Sequence, residues 1–324
     1  MTLRQTLALV LCAWSLMPTL VQAQADAYPT KPVTMVVAFA PGQSGDILAR
    51  MFAESLGKQW GKSVVIDNKP GAGGALGSQT VMRAPADGYT LLMGSSGPMS
   101  IVPHLSKVGY DPRKDFTPVM AAAGAPMALV VPVNSRFKTV NDLIEGAKAA
   151  PGKLNYGSSG TGSTQHLTME LFKQRAGVNL SHIPYKGGGP AFIDMLGGRL
   201  DAMFDTVAAA TPFIRNNQVR VLAVATPRRD AALPDVPTII ESGLADFEAR
   251  GWLGVMAPAG LAPDIRDKIN ESLRKAMAAE PFASSMAKLG LQPIGGSADD
   301  FGKFIASEYD RWGGVIKTGG IKAD

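Results

Sequence analysis

Beyond residue 30 the chain alternates short runs of β-branched and apolar residues with longer stretches in which apolar positions recur every three or four residues. The first run, VTMVVAFA at residues 33–40, breaks at Pro41-Gly42, and a helical period starts within a few residues in ILARMFAESL. Continuous or alternating apolar runs of this length read as strands, and the longer period reads as amphipathic helix. The pattern predicts strands over residues 33–40, 64–67, 89–93, 128–132, 153–156, 182–185, 201–204, 220–225 and 252–257. It predicts helices over residues 45–57, 74–83, 140–149, 163–174, 190–196, 207–215, 263–279, 281–289 and 299–317. Thr139, Ser163 and Ser297 stand where helix caps are expected. Regular alternation of strand and helix predicts an α/β fold whose sheet is largely parallel.

The polar interruptions fall at strand ends. Gly42-Gln43-Ser44-Gly45-Asp46 joins a buried strand directly to a helix, which collects backbone N–H groups where an anion is favoured. A plain turn has the same composition, so the loop alone leaves both readings open. An echo strengthens the first: YTLLMGSSGP (residues 89–98) and LNYGSSGTGS (residues 154–163) both end a strand in Gly-Ser-Ser-Gly. In open α/β sheets ligands sit beyond the carboxyl ends of the strands. Two such loops facing each other across a cleft would hold a carboxylate without an arginine. A helix-end charge interaction contributes roughly 0.3–1 kcal/mol, whereas a ligand bound at about 1 μM needs about 8 kcal/mol. Direct hydrogen bonds, ordered water and closure of the cleft must therefore supply most of the affinity.

Composition narrows the setting. The chain has 324 residues, 46% apolar and 18% charged, enough for two domains. Its first residues carry Arg4, an apolar run over residues 6–16, Pro18 and then Ala23-Gln24-Ala25, the small-x-small pattern of a secretory cleavage site. Residues 1–25 are expected to be a removed signal peptide, and the apolar run is short for a membrane span of about 20 residues. Cleavage would remove the single cysteine, Cys12, and lower the formal charge from +5 to +4. A cysteine-free mature chain needs no disulfide and excludes a thiolate metal site. The charges are scattered, aromatics make up 7%, and no basic run interleaves with them, so nucleic acid is not an expected partner.

Catalytic and cofactor motifs are missing. KPGAGGALG (residues 69–77) has the wrong glycine spacing for a dinucleotide fingerprint, and no phosphate loop of the G-x-x-x-x-G-K-[ST] type occurs. Neither serine tetrapeptide fits the G-x-S-x-G nucleophile elbow. The three histidines, His104, His166 and His182, lack metal-site spacing; His182 reads as a hydrogen-bonded core residue, and His166 as a brace of the second polar loop or a ligand contact. No cofactor and no metal are expected.

These residues, taken in order, resemble the Bug-type receptors, the extracytoplasmic solute-binding proteins of tripartite tricarboxylate transporters. The resemblance is carried by YPTKPVTMVVAFAPGQSGDILAR, NKPGAGGALGS, APADGYTLLMGSSG, PGKLNYGSSGTGSTQHL, IPYKGGGPAFIDMLGGRLDAMFD and LAVATPRRDAALPDVPTI, and it spans essentially the whole mature chain. It implies a two-lobed periplasmic-binding-protein fold of type II-like form, each lobe a mixed, mainly parallel sheet flanked by helices. Lobe 1 would comprise residues 26–126 and 250–324, and lobe 2 residues 127–249. It further implies a monomeric periplasmic receptor, not an enzyme, that closes on a small carboxylate, an organic acid or amino acid, and delivers it to a membrane permease. Carried onto this chain, the ligand-binding residues are Pro41, Gly42, Gln43, Ser44, Gly45 and Asp46 from the first loop. The second loop gives Ser159, Thr161, Gly162, Ser163, Thr164 and His166, and further contributions come from Asp205 and from Ser95 and Ser96. Gln43-Ser44-Gly45 departs from the glycine-rich run usual in the family, so the resemblance names no single substrate. An enzyme acting on a small acid and a ligand-dependent sensory partner of a membrane receptor are the alternatives.

Overall fold

The computed structural model describes residues 28–322; the expected signal peptide lies outside them. The described strands are β1 (Val33–Val37), β2 (Val64–Asn68), β3 (Thr90–Ser95), β4 (Phe116–Pro132), β5 (Asn155–Ser158), β6 (Ser181–Pro184), β7 (Ala202–Thr206), β8 (Val219–Val224), β9 (Arg250–Pro258) and β10 (Gln292–Gly295). The helices are α1 (Ser44–Trp60), α2 (Ala75–Met82), α3 (Val102–Leu105), α4 (Val140–Ala149), α5 (Thr164–Ala176), α6 (Gly188–Leu196), α7 (Val207–Arg215), α8 (Pro263–Ala278), α9 (Phe282–Lys288) and α10 (Ala298–Gly319). None of the described helices is long and apolar enough to cross a membrane.

The long strand β4 organises everything else. Residues 116–126 of it pair with β9, and residues 121–124 pair with β10 on the other side. Residues 127–132 then pair with β7 and β8. The first sheet therefore runs β2-β1-β3-β9-β4 with β10, and the second runs β6-β5-β7-β4 with β8. The sheets are mixed, as expected, but the parallel share is smaller than the alternation suggested. Of the nine pairings among the described residues, β1–β2, β1–β3, β5–β6 and β5–β7 are parallel and the other five antiparallel. The cause is the chain's path: β4 leaves the first sheet for the second, and β9 returns antiparallel to it.

The central strands of both sheets are buried on both faces, which is why β1, β4 and β9 read as near-continuous apolar runs. Along β4, Met127, Leu129 and Val131 enter one core with Tyr156, Phe172, Phe204 and Phe247, while Ala128 and Val130 enter another with Phe192 and Met203. That alternation is the period-two geometry of a strand. The first sheet packs Met35, Leu48, Phe52, Val255 and Ile269 on one face and Val36, Leu92, Trp252 and Phe301 on the other. A fifth cluster joins Leu167 of α5 to Trp312 and Ile316 of α10. Close approach of α10 depends on Gly254 in β9: a Cβ there would lie 2.8 Å from Phe301 Cε1 and 2.9 Å from the Met120 carbonyl. Gly254→Ala is thus expected to overpack this layer and destabilise the protein by roughly 1–3 kcal/mol. A urea melt should show a lower midpoint with an unchanged slope; an unaltered midpoint would mean the layer yields freely.

Candidate functional site

The loop between β1 and α1 turns through Gly42 at φ +86°, a left-handed conformation that suits glycine. Asp46, in the first turn of α1, is the brace of this loop. Its Oδ2 accepts from the Gly42 N–H at 2.9 Å and from Arg50 Nε at 3.0 Å, and its Oδ1 accepts from Asn68 Nδ2 at 3.0 Å. Burial works against ionisation of Asp46, but the Arg50, Gly42 and Asn68 bonds outweigh it and hold the carboxyl below its usual range. With both oxygens engaged, Asp46 shapes the loop while its neighbours face the cleft.

The second loop, between β5 and α5, is braced from behind. The Gly160 N–H donates to Ser158 Oγ at 3.1 Å, and Ser158 Oγ lies 2.7 Å from His182 Nε2. His182 stacks on His166 at 4.2 Å between ring centres, and His166 Nδ1 accepts from the Gly162 N–H at 3.2 Å. Ser163 Oγ caps α5 by accepting from the His166 N–H. His166, then, anchors the loop through its ring nitrogen and its own backbone. Ser159 is buried, and its Oγ has no hydrogen-bond partner.

Two further strand-to-helix junctions reach the same place. Thr206 ends β7 and caps α7 by accepting from the Ala209 N–H, and Gly187, at φ +128°, precedes α6. The loops meet across the two sheets at very close range. A Cβ on Gly187 would lie 2.7 Å from Ala40 Cβ, and one on Gly73 would lie 2.6 Å from the Thr161 carbonyl oxygen. Thr161 and Gly162 therefore form the seam against Gly73 and Val102.

Between the loops lies a cavity of about 40 Å³. Of the expected residues, Gln43, Ser44, Gly45, Ser95 and Thr164 line it. Pro41 and Gly42 are exposed at the turn, and Ser96 Oγ accepts from the Trp252 N–H at 2.7 Å. Phe39, Ala125, Met127, Gln165, Thr206, Gly251, Trp252 and Leu253, none of them an expected site residue, complete the wall. No lining residue is charged. Behind the wall sits Asp205, fully buried.

A polar chain closes the cavity. Gln165 Nε2 donates to Gln43 Oε1 at 3.0 Å and to Asp205 Oδ1 at 3.1 Å, and the Thr206 N–H donates to Asp205 Oδ1 at 2.7 Å. Asp205 Oδ2 has no hydrogen bond of ordinary geometry, although the Gln43 amide approaches closely enough to favour its ionised form. Burial pushes the Asp205 carboxyl up to about 6, with the Thr206, Gln165 and Gln43 bonds offsetting part of that rise. Gly188 lies directly against this group: a Cβ there would overlap both the Gln43 amide and Asp205 Oδ2. Nothing in the local sequence marks Gly188 or Gln165, but both stand inside motifs, KGGGP and STQHL, that carried the family resemblance. Among the described residues no group of His, Cys, Asp and Glu is placed to hold a metal ion.

The profile of the tripartite tricarboxylate transporter family receptors matches residues 48–321. The chain is 36% identical to BugT of Bordetella pertussis over 300 residues, covering 92% of each protein. Among solved structures it is similar to Rpa4515 of R. palustris with adipate, at 37% identity and a TM-score of 0.88 over 91% of this chain and 99% of that one. It is also similar to MatC of Rhodopseudomonas palustris with bound malate, at 30% identity and a TM-score of 0.85 over 89% and 100% of the respective chains. These relatives match along nearly their full length on a shared periplasmic-binding-protein fold, and the chain belongs to the tripartite tricarboxylate transporter family receptors.

Proposed function

We propose that this receptor captures a small carboxylate between two lobes, residues 26–126 with 250–324 and residues 127–249, and hands it unchanged to the membrane permease of a tripartite tricarboxylate-type transporter. Residues 1–25 direct export to the periplasm, where the mature chain acts as a monomer. The observation that carries this reading is the uncharged cavity where the loops before α1 and α5 meet, spanned by the Gln43–Gln165 hydrogen bond. Its polar groups are amides and hydroxyls at helix N-termini, a donor set suited to a carboxylate. Adipate with one relative and malate with another support the same ligand class. The groups at hand bind and orient; Asp205, a carboxylate beside the cavity, is engaged by amides.

A cavity of about 40 Å³ is far smaller than the roughly 300–1,000 Å³ of a typical ligand pocket. A whole acid therefore enters only when Gln43 and Gln165 part, and the lobes must hinge about the crossings at Pro126–Met127 and near Arg250. Titration with a panel of organic acids and amino acids should raise the melting temperature in a concentration-dependent way, by the equivalent of about 4 kcal/mol at 1,000 times Kd. Small-angle scattering should register a change in compactness at saturation. No thermal shift with any acid at millimolar concentration would refute ligand capture. Binding without a change in scattering would refute the hinge alone.

A further inference from the structure

We infer that Gln43 plugs the Asp205 carboxylate and so makes the receptor select acids lacking an α-ammonium group over the corresponding amino acids. This rests on the carboxylate-binding reading above and refines its substrate class. Asp205 is 0% exposed, and its Oδ2 has no hydrogen bond of ordinary geometry. A buried, under-bonded carboxylate is the natural partner of a ligand ammonium, because charge-assisted hydrogen bonds to it are short and strong. Here that partner place is taken by a side chain of the protein. Gln43 is 5% exposed and lies between the cavity, which it lines, and Asp205, which the cavity does not reach.

Gln43 is held in that position. Its Oε1 accepts from Gln165 Nε2 at 3.0 Å, and the absence of a side chain at Gly188 makes the room its amide fills. Its backbone stands at the N-cap of α1 yet its side chain makes no cap hydrogen bond, so the amide is committed to the cleft. An amide can donate to Asp205 but cannot neutralise it. An incoming α-ammonium would meet the Gln43 Nε2 donors before it met the carboxylate, whereas a hydrogen or a hydroxyl at the same carbon carries no such conflict.

The test compares ligands of one skeleton that differ only at C2: succinate, malate and aspartate; propionate, lactate and alanine; glutarate, 2-hydroxyglutarate and glutamate; and the three matching phenylpropanoids. Calorimetric titration at pH 7.5 of the wild-type mature protein, Gln43→Gly and Gln43→Asn reads the affinity ratio within each set. In whichever set binds, the wild-type protein should favour the hydrogen or hydroxyl form at least tenfold over the amino acid. Gln43→Gly, acceptable at an N-cap, should move the ratio at least tenfold toward the amino acid, with Gln43→Asn intermediate. A wild-type preference for the amino acid, or a ratio that stays within twofold in both variants, overturns the inference and leaves the parent reading standing. Absence of binding across every set, in wild type and variants alike, overturns both.

Discussion

Gly188→Ala should weaken acid binding about 10- to 100-fold, while the neighbouring Gly189→Ala leaves it unchanged. The two residues share the first turn of α6 and ordinary helical backbone, so helix propensity cannot separate them. Their surroundings do. A methyl at Gly189 would find only the Pro41 carbonyl oxygen, at 3.9 Å, an ordinary contact. A methyl at Gly188 would coincide with space already filled by the Gln43 amide and by Asp205 Oδ2. Moving either group disturbs the Gln165 bonds at 3.0 and 3.1 Å, the first of which bridges the cleft. Overpacking of this kind costs roughly 1–3 kcal/mol, and because Gln43 comes from the first sheet, part of that cost falls only on the closed arrangement. Each 1.4 kcal/mol withdrawn from the binding-competent form reduces affinity tenfold. Titration of both variants with the same acid, beside circular dichroism to confirm folding, measures the contrast. Equal affinities for Gly188→Ala and Gly189→Ala would show that the Gln43–Asp205 contact does not govern closure.

The reason such a residue escaped the sequence is instructive. Much of the local pattern was legible: the break at Pro41-Gly42, the helix expected over residues 45–57 and found as Ser44–Trp60, and the caps at Thr139, Ser163 and Ser297 follow from composition and period. The polar loops at the ends of β1 and β5 were legible as a pair, and they do meet. What could not be read was contact between residues far apart in the chain, such as Gln43 with Gln165, where each side chain is chemically plain and only the pairing carries meaning. Gly188 is ordinary in sequence because its importance is the volume it leaves for others. A second gap has a different cause. Residues 128–132 were expected as a strand, but β4 begins at Phe116, because MAAAGA is too poor in β-branched residues to signal one. Its pairing with both β9 and β10 overrides that weak propensity. Four-residue β10, largely exposed, gave no period at all.

Asp205→Asn should stabilise the unliganded protein at pH 7.5 by about 1–3 kcal/mol and leave it nearly unchanged at pH 4. The folded protein lifts this carboxyl from 3.8 to about 6, chiefly by burial. Between those values the folded state holds more protons than the unfolded one, so stability falls as pH rises through that interval and stays lowered above it. A rise of this size corresponds to about 3 kcal/mol at most. Asparagine removes the ionisation and keeps an oxygen to accept from Gln165 and Thr206, though its own amide must then face the Gln43 amide, which offsets part of the gain. Thermal melts at pH 4, 5, 6 and 7.5 should therefore show wild type and variant converging in acid and separating by several degrees at neutrality. A gap that is the same at every pH, or a variant less stable at pH 7.5, would place the cost elsewhere. The expected result has a further meaning. A buried carboxylate that weakens the empty protein at neutral pH, fenced by two glutamines and a glycine, is a poor structural choice. On the inference above, it is a charge that Gln43 screens from whatever occupies the cavity beside it.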